Sequence, residues 1–93
     1  MVTAIVLIQG ERGKLPETAE ALADVPGVAE VYSVAGKYDL VAIVRVKEHE
    51  GLAEVVTKKL LRLDGIVRTN TLIAFKSYSR ADLERMWEIG LER

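Results

Sequence analysis

The chain repeats itself at an offset of 38 positions without a gap. Ala4-Ile5-Val6 lands on Ala42-Ile43-Val44, Leu22 on Leu60, Gly27-Val28 on Gly65-Ile66, and Val34-Ala35 on Leu72-Ile73. Each copy reads strand, helix, strand, so the whole reads βαβ followed by βαβ. A repeat of this length marks a duplicated supersecondary unit, and the order is that of a split-βαβ, ferredoxin-like fold. The expected architecture is α+β: an antiparallel four-stranded sheet with two helices on one face, then a short C-terminal helix. Many unrelated functions occupy this fold, so function must be sought in its loops and its uncovered sheet face.

Residues 2–9, and Leu40 to Val44 within the strand from Asp39 to about Lys47, are apolar on both faces, which marks central strands covered on both sides. The strand from Val28 to Ala35 carries Glu30, Tyr32 and Ser33, and the one from Ile66 to about Lys76 carries Arg68 and Asn70. Those mixed strands belong at the edges, giving the order 4-1-3-2. Leu15, Ala19, Leu22 and Ala23 recur at helical spacing, as do Leu52, Val55, Val56, Leu60 and Leu63. Pro16 suits a first turn; Val25-Pro26-Gly27 and Asp64-Gly65 supply the stops. The right-handed crossover rule sends both helices to one side of the sheet. The other side is left bare and aliphatic, a surface for association, so two copies are expected to pack face to face. Residues 1–77 make this domain. Beyond it, Ser79 as N-cap, Asp82 at N3, and Leu83, Met86, Trp87, Gly90 and Leu91 on one stripe predict a helical extension over 78–93. That helix packs on its own domain or on a neighbouring subunit.

Several function classes are excluded. A chain of 93 residues buries only about 60–65% of its unfolded surface, so self-association would add needed burial. Net charge is −1 with both signs interspersed, which leaves no basic footprint for direct nucleic-acid contact. The central strands lack the aromatic residues that stack RNA bases. There is no cysteine, hence no disulfide, thiol catalysis or thiolate metal site. His49 is the sole histidine, so no metal and no cofactor is expected. The first apolar stretch is too short for a membrane span and has no basic flank, so the expectation is a cytoplasmic protein without membrane contact.

Gly36-Lys37-Tyr38-Asp39-Leu40, between the second and third strands, has two readings. One is a plain hairpin turn, with glycine at positive φ and aspartate capping local backbone. The other is a clamp whose exposed backbone groups meet the ammonium and carboxylate of a small ligand. Thr69 and Thr71 flank Asn70, so their hydroxyls point to one face of the fourth strand. Threonine suits strands anyway. Two hydroxyls on an otherwise apolar face could also bond a polar ligand trapped at an interface.

Gly27-Val28, Val34-Ala35-Gly36-Lys37-Tyr38-Asp39-Leu40 and Gly65-Ile66-Val67-Arg68-Thr69-Asn70-Thr71 together resemble the effector-binding domain of the Lrp/AsnC family, also called the RAM domain. The resemblance covers nearly all of residues 2–75. It implies sheet-to-sheet dimers that join into rings, an octamer or a decamer, with amino-acid effectors at the contacts between dimers. Gly36, Tyr38 and Asp39 would form the loop side of that site, and Thr69 and Thr71 the strand side. Asp39 would either fix the loop or meet the effector's ammonium. In the family a DNA-binding helix-turn-helix precedes this domain. Here the first strand begins at residue 2, so the resemblance implies a stand-alone module acting on transcription or metabolism through partners, full-length Lrp/AsnC relatives among them. Three alternatives stay open: a structural oligomer whose ligand site has lapsed, a small ferredoxin-like dimeric enzyme such as a monooxygenase, and the ACT domain, which shares the element order.

Overall fold

The computed structural model describes residues 1–81. Of the expected extension over 78–93, the part beyond residue 81, with Met86 and Trp87, lies outside them. Strand β1 (Val2–Gly10) leads through a 3-10 turn at Arg12–Lys14 into helix α1 (Leu15–Ala23), which has proline in its first turn. Strands β2 (Val28–Ser33) and β3 (Leu40–Val46) form a hairpin. Helix α2 (His49–Glu54) runs on through a π-helical stretch, Val55–Lys59, and a 3-10 turn, Leu60–Arg62, before β4 (Ile66–Ala74). The sheet is antiparallel in the order β2-β3-β1-β4, so the two doubly apolar strands are central, as their composition requires.

The core lies between sheet and helices. Ala4, Val6 and Ile8 of β1 and Leu40, Ala42 and Val44 of β3 are buried against Leu22, Leu52, Val55 and Leu60. The alternate residues Thr3, Ile5 and Leu7, with Val41, Ile43 and Arg45, stand on the opposite face, only half-buried or exposed. Among the described residues nothing covers this face, which register carries outward to Leu72, opposite Ile5, and to Tyr32, opposite Val41. Leu72 is 47% exposed and Tyr32 50%.

The π-helical stretch departs from the single regular helix that the apolar spacing predicts. Val55 and Leu60 stand five residues apart, which in a regular α-helix would leave them about 140° apart around the axis. Widening the turn to i→i+5 bonding brings both onto the sheet side, where both are buried.

Two strands carry bulges. Register shifts between Gln9 and Gly10 on β1, where Gly10 faces Ile66 and Gln9 faces Arg68, so Val67 is the extra residue on β4. It shifts again between Val28 and Glu30 on β2. The first bulge lies at the end of the sheet that receives the β2–β3 hairpin. Among the described residues, no helix is long and apolar enough to cross a membrane.

Candidate functional site

The hairpin between β2 and β3 is closed by Val34 N–H donating to Asp39 O at 3.0 Å. Gly36 has φ +129°, a conformation that disfavours any residue with a Cβ, so the turn needs glycine there. Val34 to Lys37 are exposed, while Tyr38 and Asp39 are half-buried.

Asp39 ties this loop to β1. Its N–H donates to Ile8 O at 2.9 Å, and its Oδ2 accepts from Gly10 N–H, also at 2.9 Å. Gly10 sits at the bulge, where the ladder is interrupted, so the carboxylate supplies an acceptor that the neighbouring strand does not. These two bonds fix the loop to β1, the first of the two roles that the sequence leaves open to Asp39. Gln9 adds a second tie, its Nε2 donating to Lys37 O at 3.2 Å. Asp39→Ala is expected to lower stability by about 1–2 kcal/mol, since a partly buried N–H loses its acceptor. A thermal melt reads that loss, and hydrogen exchange should show faster exchange at Gly10.

Tyr38 points another way. Its hydroxyl oxygen accepts from Asn70 Nδ2 at 3.4 Å, long for a hydrogen bond. Asn70 pairs with Leu7, which stands on the uncovered face, so the phenol reaches across β1 to β4 on that face. Asn70 reads in the sequence only as an interruption of apolar character. The one signal it offered was parity: it alternates with the two threonines and so faces away from them.

Thr69 pairs with Ile8 and Thr71 with Val6. The two hydroxyl-bearing residues do share one face, but it is the helix-bearing one, opposite the Tyr38–Asn70 contact. As residues of an edge strand both stay half-buried. Thr71 borders a groove of about 280 Å³ whose lining includes Leu52 and Val56 of the second helical segment and Ile73 of β4. The structure thus brings Gly36, Tyr38 and Asp39 together at the end of the sheet and sets Thr69 and Thr71 apart from Tyr38 across it.

A polar cluster occupies the far side of the uncovered face. Arg45 Nη1 lies 3.1 Å from Glu30 Oε1, and the Tyr32 hydroxyl donates to the same carboxylate. The Tyr32 hydrogen bond, followed by the Arg45 contact, holds the Glu30 carboxyl below the usual carboxylate range; Glu30 in turn raises the Tyr32 phenol. Among the described residues no group of three or more His, Asp or Glu is placed to hold a metal ion.

A family model described as the Lrp/AsnC ligand binding domain matches residues 3–83. A protein of Pyrococcus furiosus named as an HTH-type transcriptional regulator is 37% identical over 76 residues, covering 78% of this chain and 51% of its own length. The chain thus spans about half the length of such curated relatives. A crystal structure of a Thermus thermophilus protein superposes with a TM-score of 0.81 at 52% identity, covering 86% of this chain and 100% of that one. The feast or famine regulatory protein of M. tuberculosis, solved in complex with L-methionine, superposes with a TM-score of 0.71 at 24% identity. That match covers 86% of this chain and 54% of the other.

Proposed function

The chain belongs to the Lrp/AsnC family of ligand-binding domains, and from that premise we propose that it is an amino-acid-sensing regulatory module rather than an enzyme. Copies pair through the uncovered sheet face, and the dimers join further, toward an octamer or decamer ring. An α-amino acid binds where dimers meet, and its binding shifts the assembly that partner proteins read. Full-length Lrp/AsnC relatives are the partners this reading favours.

The observation that carries the reading is the hairpin: an exposed turn, anchored to β1 by Asp39, at the rim of an apolar face that no other described residue covers. A fixed loop of backbone donors and acceptors suits the ammonium and carboxylate that all α-amino acids share. The M. tuberculosis relative solved with L-methionine carries the same fold, which is consistent with such a ligand. Because Thr69 and Thr71 lie across the sheet from Tyr38, we assign them to a neighbouring dimer's side of the site. One ligand then bridges the hairpin of one protomer and the β4 edge of another.

Titration calorimetry against the twenty amino acids tests this. At least one should bind, and light scattering with that amino acid should show a changed mass. The double variant Thr69→Val/Thr71→Val should fold normally and bind at least about tenfold more weakly, the effect of one or two lost hydrogen bonds. Mixing it with a hairpin variant, Gly36→Val, should restore some sites, because each supplies the half the other lacks. Heat from no amino acid would leave the structural oligomer with a lapsed site as the better account.

A further inference from the structure

We infer that Tyr38 and Asn70 form a strap that couples the effector loop to the pairing face. This strap presupposes the amino-acid-sensing reading of the hairpin. The hairpin has two kinds of attachment, and they lead to different places. Asp39 and Gln9 bind it along the end of β1, through Gly10 N–H, Ile8 O and Lys37 O. Tyr38 alone leaves that end, crosses β1 and meets Asn70 beside Leu7.

Leu7, Ile5, Ile43 and Leu72 are the aliphatic residues that a second copy would cover. The strap therefore has one end in the loop that grips ligand and the other in the surface that grips the partner copy. A ligand that draws on the backbone at Gly36 or Lys37 shifts the residue next to Tyr38. The phenol can follow only by changing its contact with Asn70 and the aliphatic surface around it. Its long 3.4 Å hydrogen bond has room to tighten. Ligand affinity and sheet-to-sheet pairing are then linked, and linkage is reciprocal: the ligand strengthens pairing by the factor by which pairing strengthens ligand binding.

The test reads that factor. The dimer dissociation constant is measured by concentration-dependent light scattering or analytical ultracentrifugation, with and without the amino acid that calorimetry finds. In the unaltered protein the ratio of the two constants should be at least about fivefold, the lower end of ordinary coupling. In Asn70→Ala the amino acid should still bind, while the ratio falls to about one. Tyr38→Phe, and the double variant with Asn70→Ala, should show the same ratio as the single change, because both break one link. The ratio is insensitive to any uniform weakening of the dimer, so loss of packing alone does not reproduce the result. If Asn70→Ala binds the amino acid and keeps the full ratio, the strap is refuted. Losses that add between the two single variants also refute it, since independent packing effects add. If the unaltered protein binds no amino acid, the underlying reading fails instead.

Discussion

Ile43→Asp is expected to abolish pairing while each protomer stays folded. Ile43 sits at the middle of β3, opposite Ile5 of the other central strand, on the face that carries no helix among the described residues. Its own protomer leaves it only half-buried, and the core behind the sheet, Val6, Ile8, Ala42 and Val44, does not involve it. In a sheet-to-sheet dimer the new carboxylate would be desolvated without a partner, and symmetry would bury two. The penalty for one such ion is several kcal/mol after relaxation. At about 1.4 kcal/mol per tenfold, roughly 4 kcal/mol weakens pairing a thousandfold. Light scattering should then report a protomer of 10.3 kDa at concentrations where the unaltered protein is at least dimeric. The far-ultraviolet spectrum should be unchanged. Lys58→Glu, a charge change on an exposed helical residue, should leave the mass as it was. An Ile43→Asp protein that keeps its oligomeric mass would show that copies meet through some other surface.

Gly65→Ala is expected to be the most damaging glycine-to-alanine change among the described residues. Gly65 precedes β4 with φ +94°, where an L side chain is strained by about 1–3 kcal/mol. A Cβ there would also overlap Thr18 Oγ1. That hydroxyl cannot swing away cheaply: Thr18 is 2% exposed in α1, and its Oγ1 donates to Asp64 O at 3.3 Å. Overpacking adds a further ~1–3 kcal/mol. The sum, roughly 2–5 kcal/mol, is a large part of the stability of so small a domain and should lower Tm by about 10 °C or more. Gly13→Ala is the control, since a Cβ at Gly13 meets nothing within 4 Å. A denaturant melt in which both variants match the parent would mean that the α1–β4 junction is far looser than the close approach of Gly65 to Thr18 implies.

Gly65 also illustrates how legible the chain is. Its place in an Asp-Gly pair after an apolar periodic run is a local stop signal, and the helical segment does end just before it. The order of elements, the central position of β1 and β3, and the need for glycine at position 36 are local in the same sense. Each shows in composition over a few residues, because a strand covered on both faces tolerates polar groups on neither. The π-helical stretch was not legible. Leu52, Val55, Val56 and Leu60 fit an α-helical stripe well enough, and only the sheet beneath them forces Val55 and Leu60 to the same side.

The candidate site divides along the same line. The hairpin residues Gly36, Tyr38 and Asp39 are contiguous, so their proximity follows from the sequence. That Asp39 holds Gly10 N–H, that Gln9 holds Lys37 O, and that Tyr38 finds Asn70 are contacts between residues 28 to 32 positions apart. Nothing in the local pattern points to them. Asn70 in particular looks like a blemish in an edge strand until β1 lies between it and the hairpin.

From the sequence alone come the doubled βαβ order, the inner and outer strands, the turn that glycine permits, and an aliphatic face in want of cover. Those are short-range consequences of which side chains tolerate water and which backbone angles they tolerate. Which side of the sheet each β4 residue occupies was decided only in three dimensions. Side chains alternate with a period of two, so one step of register, such as the bulge at Val67, reverses every assignment beyond it. That parity sends Thr69 and Thr71 toward the helices and Asn70 toward Tyr38.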